Sequence, residues 1–220
     1  MGKFTNRTDL ILRGLLQLLK FYTFFIFLML MFRLVFMFYF MDPSYFTIYS
    51  NDIVMAYFVG WKYDSVVASY LLIIPFFVLI FICAFKNSRL YNFYIFLLKL
   101  FFVISAVVVS FLLIADLGFY SFFQDHINIL FFGLIEDDTA ALIKTMETNY
   151  PLWPALGGFS LFIIMLMWIS KKIFTYIEFK SLAMIQPGPI KYLTLVLSCS
   201  ILLFGGLRGG YGQLVISPKY

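Results

Sequence analysis

Residues 66–85 read "VVASYLLIIPFFVLIFICAF", a run without a single charged side chain. A helix rises about 1.5 Å per residue and the hydrocarbon core of a bilayer is about 30 Å thick, so about twenty such residues cross it. The helix is also the form in which a segment in lipid can satisfy its own backbone N–H and C=O groups. Pro75, in the middle of the run, removes one backbone donor and predicts a kink, which a membrane bundle tolerates more readily than a soluble helix does.

The rest of the chain repeats this pattern. Of 220 residues, 63% are hydrophobic, 22% aromatic and 12% charged, whereas an ordinary soluble domain carries roughly a quarter charged residues. Four further runs have the length and composition of a crossing: 21–40 ("FYTFFIFLMLMFRLVFMFYF"), 93–115, 151–170 ("PLWPALGGFSLFIIMLMWIS") and 190–207. Two amphipathic stretches are expected to lie on the membrane surface instead: 8–20, where Arg13, Gln17 and Lys20 recur among leucines, and 137–148, which opens on acidic residues. The fold class is therefore an all-α integral membrane protein, a single five-helix membrane domain over 1–220. The basic N-terminus resembles a signal peptide, but the apolar run after it is too long and no small-x-small cleavage site follows, so it reads as a retained anchor.

Orientation follows from the distribution of Lys and Arg among the connecting segments. Lys3, Arg7, Arg13 and Lys20 precede the first run, Lys86 and Arg89 follow the second, and Lys171, Lys172 and Lys180 lie between the fourth and fifth, with Lys191 at the start of the fifth. The alternate segments hold Asp42, Asp52, Asp64, Asp125, Glu136, Asp137, Asp138 and Glu147, with Lys62 and Lys144 as their basic residues. The N-terminus is thus expected inside and the C-terminus outside. The net charge of +5 belongs to this membrane pattern and not to a nucleic-acid surface.

Ionisable groups inside or beside hydrocarbon are costly, and each invites a functional reading beside a structural one. Arg33 interrupts the first run, Lys62 and Asp64 open the second, Asp116 closes the third with Tyr120 one turn on, and Arg208 closes the fifth. All are expected at the outer leaflet. Arg33 paired with Asp116 or Asp64 would lock the bundle; alternatively Arg33 and Arg208 would hold a lipid phosphate while the carboxylates orient them. His126 has no second imidazole beside it, and Cys83 and Cys199 lie in apolar runs without metal-ligand spacing. The sequence contains no P-loop, His-Glu-x-x-His or Gly-x-Ser-x-Gly motif.

The stretch "FVGWKYDSVVASYLLIIP" resembles the Gly-x-(Arg/Lys)-(Phe/Tyr)-Asp entry to the second helix of the lipoteichoic acid synthase family, which includes sulfatase-like phosphoglycerol transferases. "FRLVFMFYF", "IADLGFYSFF" and "LRGGYGQLVISPKY" are similar to that family's segments in the same order. The positions that carry the resemblance are Arg33, Gly60, Lys62, Asp64, Asp116, Tyr120 and Arg208 to Gly210. The resemblance implies an N-terminal membrane-anchor domain in the bacterial cytoplasmic (inner) membrane, with phospholipids as partners and headgroup binding as a further expectation. It also implies a large external catalytic domain using a divalent metal, Mn or Mg, to transfer a phosphoglycerol or phosphoethanolamine group from a lipid. No catalytic residue and no metal ligand of such a domain has a counterpart here. The alternatives are a freestanding structural or partner-binding membrane protein and a small transporter, the latter disfavoured by the lack of internal repeats and of a charged file across the bilayer.

Overall fold

The computed structural model describes residues 7–85, 87–128, 152–174 and 189–208. The described elements are helical: α1 (Arg7–Phe40), α2 (Pro43–Ile48), α3 (Ser50–Ala84), α4 (Ser88–Phe123), α5 (Leu152–Ile173) and α6 (Pro189–Arg208). Among the described residues, α1, α3, α4 and α6 are long and apolar enough to cross a membrane. α5 occupies the fourth expected run. The expected surface helix at 137–148 and the positions Gly209 and Gly210 lie outside the described residues.

The chain forms two compact units, one of Met1–Phe102 with Ile173–Tyr220 and one of Val103–Lys172. In the first, α1 and α3 pack along a seam. On α3 the buried positions Gly60, Asp64, Ala68, Leu72, Phe76, Leu79 and Cys83 recur every three or four residues, the spacing of one helix face. Small residues at one end of this stripe let the helices approach closely, and large ones fill the space at the other.

The segment 8–20 departs from expectation. It is the first part of α1, which continues without a break through residues 20 and 21. Leu10, Ile11, Gly14, Gln17 and Leu18 are buried, and a Cβ at Gly14 would overlap the Leu79 side chain. The segment thus packs against α3 instead of lying apart on a surface. Two of its polar groups find partners: Arg13 Nε donates to Asp9 at 3.0 Å, and Lys20 Nζ donates to the Ile173 carbonyl at 2.8 Å, whereas Gln17 Oε1 is buried without a partner among the described residues.

Aromatic rings fasten the first half of α4 to α1. Phe21 and Phe25 meet Phe102 edge-on at 5.2 and 5.9 Å, and Phe102 meets Phe174 at 5.2 Å, geometries that match the positive ring edge to the negative face. The buried Tyr94 hydroxyl donates to the Pro75 carbonyl at 3.1 Å. α3 continues as one helix through this proline. In the second unit, Phe111 of α4 contacts Phe159 of α5 at 6.2 Å, and Lys172 lies 3.8 Å over the Trp168 ring.

α2 has a local explanation. Asp42 caps it, its carboxylate accepting from the Ser44 N–H at 2.8 Å and the Ser44 hydroxyl at 2.7 Å, and Pro43 follows at the first helical position, where its missing donor costs nothing. Phe46 then stacks on Phe38 of α1 at 5.5 Å.

Candidate functional site

Two stretches far apart in sequence meet between α1 and α3. Arg33 Nη2 donates to Asp64 Oδ1 at 2.9 Å. Asp64 lies one helical turn beyond Gly60, and a Cβ at Gly60 would overlap the Arg33 guanidinium. Glycine therefore gives room for the guanidinium to lie against the α3 backbone, and any larger residue would displace it. Tyr57, one turn before Gly60 on the same face, lies close enough to feel the charge of Arg33. The guanidinium rests in the Gly60 notch and is bonded to the Asp64 carboxylate, with Tyr57 on the same face of α3 one turn earlier.

The site is polar and incompletely satisfied. The Asp64 side chain is 10% exposed and that of Arg33 33%. Arg33 Nε, Asp64 Oδ2 and the Tyr57 hydroxyl are all buried without a hydrogen-bond partner among the described residues. An orphaned polar atom of this kind costs about 1–3 kcal/mol. The single 2.9 Å bond offsets part of this and leaves both donors and an acceptor available.

Lys62 points away from the seam and is exposed. Arg208, the last residue of α6, is exposed as well. Two residues before it, Gly206 packs on α3, where a Cβ would overlap the Ser69 hydroxyl and lie 4.0 Å from the Ser65 carbonyl. This contact brings the end of α6 beside the turn of α3 that follows Asp64.

Asp116 and Tyr120, in the second unit, make a separate arrangement. Asp116 Oδ2 lies 2.8 Å from His126 Nδ1, and its Oδ1 accepts from the Ile127 N–H at 2.8 Å. The Tyr120 ring lies 5.3 Å from the His126 ring. Gln124, at φ 57°, lets the chain fold back from the end of α4, a backbone region that non-glycine residues seldom enter. Of the two pairings considered for Arg33, the structure forms the one with Asp64. Asp116 instead holds His126, which is 62% exposed and still bonded. The sequence signal, visible only in retrospect, is a carboxylate ten residues before a histidine across a helix end.

Among the described residues no group of His, Cys, Asp or Glu could hold a metal ion. Cys83 and Cys199 are free thiols. No protein-family model, curated protein or solved structure matches the chain.

Proposed function

We propose that this chain is the membrane-anchor domain of an envelope phospho-group transferase, crossing the bacterial cytoplasmic membrane five times with its N-terminus inside and its C-terminus outside. The observation that supports the reading best is the meeting of two motifs that are far apart in sequence. The arginine within "FRLVFMFYF" rests on the glycine and pairs with the aspartate of "GWKYD". Residues that carry the resemblance therefore depend on one another physically, with reason to occur together. α5, 22 residues and about 33 Å long, is counted as the fourth crossing and α6 as the fifth, which delivers Arg208 and the tail to the outer face. The anchor would position a metal-dependent catalytic domain there, against headgroups of the outer leaflet.

The test is enzymatic. The full product of the gene, reconstituted in vesicles with Mn ions, is expected to release diacylglycerol from labelled phosphatidylglycerol or phosphatidylethanolamine, while residues 1–220 alone release none. Absence of release from both lipids by the full product would overturn the transferase reading in favour of a structural or partner-binding membrane protein.

A further inference from the structure

We propose that Arg33, Tyr57 and Asp64 form a seat for one phospholipid headgroup of a particular chemistry: a phosphodiester next to a hydrogen-bond donor, as in ethanolamine or glycerol lipids, and not choline lipids. This deepens the reading of the chain as a membrane domain in contact with headgroups, and rests on it.

The level of the site comes first. Between Asp64 and Lys86 lie 21 residues without a charge, about 32 Å of helix, against a hydrocarbon core of about 30 Å. Asp64 therefore stands where the core gives way to phosphates. Arg33, bonded to it, stands at the same level. A third of the Arg33 side chain is exposed, so the residue is not sealed between the helices, although its Nε is buried.

The chemistry comes second. Arg33 and Asp64 offset each other's charge, so the pair offers little net attraction to a bare anion. What remains is a hydrogen-bonding requirement: Arg33 Nε and the Tyr57 hydroxyl need an acceptor, and Asp64 Oδ2 needs a donor. Phosphate oxygens satisfy the first, since guanidinium and phosphate match in geometry. An ammonium or a glycerol hydroxyl satisfies the second. The trimethylammonium of choline has no N–H to give, and would leave Asp64 Oδ2 orphaned. Because Arg33 Nε, Asp64 Oδ2 and the Tyr57 hydroxyl are buried, seating requires the partly exposed Arg33 side chain to move outward and admit a phosphate oxygen.

The test is native mass spectrometry of residues 1–220 released from vesicles containing equal amounts of phosphatidylethanolamine, phosphatidylglycerol and phosphatidylcholine. The expected result is one retained ethanolamine or glycerol lipid, with choline lipid at least about tenfold less, the size of effect one unmet buried polar group produces. Arg33→Gln should lower retention about tenfold and Tyr57→Phe about threefold. Asp64→Asn, whose amide supplies its own N–H, should keep a bound lipid and lose the preference over choline. Arg33→Lys, which retains the charge, controls for folding and should bind more weakly through the loss of the planar fork. Wild-type protein that holds choline lipid equally, or retention unchanged in Arg33→Gln and Tyr57→Phe, overturns the proposal. So does wild-type protein without bound lipid, the result expected if Arg33 and Asp64 close into a two-bond fork or an ordered water fills the site. Diacylglycerol release by a full gene product that retains no headgroup would remove this inference and leave the transferase reading standing. Selective retention without release would do the reverse.

Discussion

At the scale of the residue, Arg33 and Asp64 show what removal of one partner means in a low-dielectric setting. A carboxylate 10% exposed left without its arginine loses far more than the pair itself contributes, because the cost is that of an uncompensated buried charge. Arg33→Met alone is expected to destabilise the chain by about 2–4 kcal/mol, lowering its thermal midpoint in detergent, whereas Arg33→Met with Asp64→Leu should recover most of that loss. If the double variant is no more stable than the single one, the pair is not buried as described. Gly60→Val tests the same contact from the other side, since its side chain would occupy the volume of the guanidinium; overpacking of this kind costs about 1–3 kcal/mol. The charges were legible in sequence because a charge in an apolar run stands out. Their partners were not, because pairing between helices depends on which faces meet, and both Asp64 and Asp116 sit at the ends of apolar runs.

At the scale of the element, α2 and α6 make opposite points. α2 depends on a single cap. Hydrogen bonds from the Ser44 hydroxyl and then its N–H hold the Asp42 carboxyl below its usual range, so its folded value lies below its unfolded one. The stabilisation it gives α2 is present above the ordinary carboxylate value of about 3.9 and is lost as pH falls through the lower folded value. Amide exchange at Ser44 should therefore respond to Asp42→Ala at neutral pH and become insensitive to it in strong acid. Equal exchange in both proteins at neutral pH would mean the cap contributes nothing. α6, by contrast, is held by packing: a Cβ on Gly206 would lie 3.3 Å from that of Ser69, near the separation of about 3.5–4.5 Å that a disulfide spans. In a background with Cys83 and Cys199 replaced by alanine, Ser69→Cys with Gly206→Cys should oxidise to a linked pair, read as a joined peptide after proteolysis. Moving the second cysteine to Ile201, which is 71% exposed, should abolish the link. The element boundaries show where sequence reasoning stops. Hydropathy located the cores of α3 and α4 at 66–85 and 93–115, but the helices extend over Ser50–Ala84 and Ser88–Phe123, because nothing in "SNDIVMAYFVGWKYD" or "SRLYN" breaks a helix. Gln17 and Lys20 suggested a surface helix by their spacing, yet Gly14 is the better guide, a small residue that lets α1 lie against Leu79.

At the scale of the whole molecule, the lengths of α1, α3 and α4 pose the sharper problem. At 34, 35 and 36 residues they measure about 51–54 Å, well beyond a hydrocarbon core of about 30 Å. Tilt absorbs only part of such an excess, so the position of the core along each helix must be set by charge. On α3 the uncharged run begins after Asp64, and the turns before it carry exposed Tyr49, Trp61 and Tyr63, rings suited to the interface. Trp61 should therefore lie at headgroup depth. In a protein with Trp153 and Trp168 replaced by phenylalanine, its fluorescence should be quenched more strongly by lipids brominated near the ester than by lipids brominated near the chain end, and a tryptophan placed at Phe77 should show the opposite order. Stronger deep quenching of Trp61 would shift the core outward by several residues, place Arg33 and Asp64 within hydrocarbon, and turn their pairing from a device of the interface into a condition for insertion. The same protein carries the orientation test: a cysteine at Asn6 should react with impermeant maleimide only in inside-out vesicles, and one at Gln213 only in right-side-out vesicles. Reaction of both on one side requires an even number of crossings, and because α1, α3, α4 and α6 already have the length to cross, the helix removed from the count would be α5.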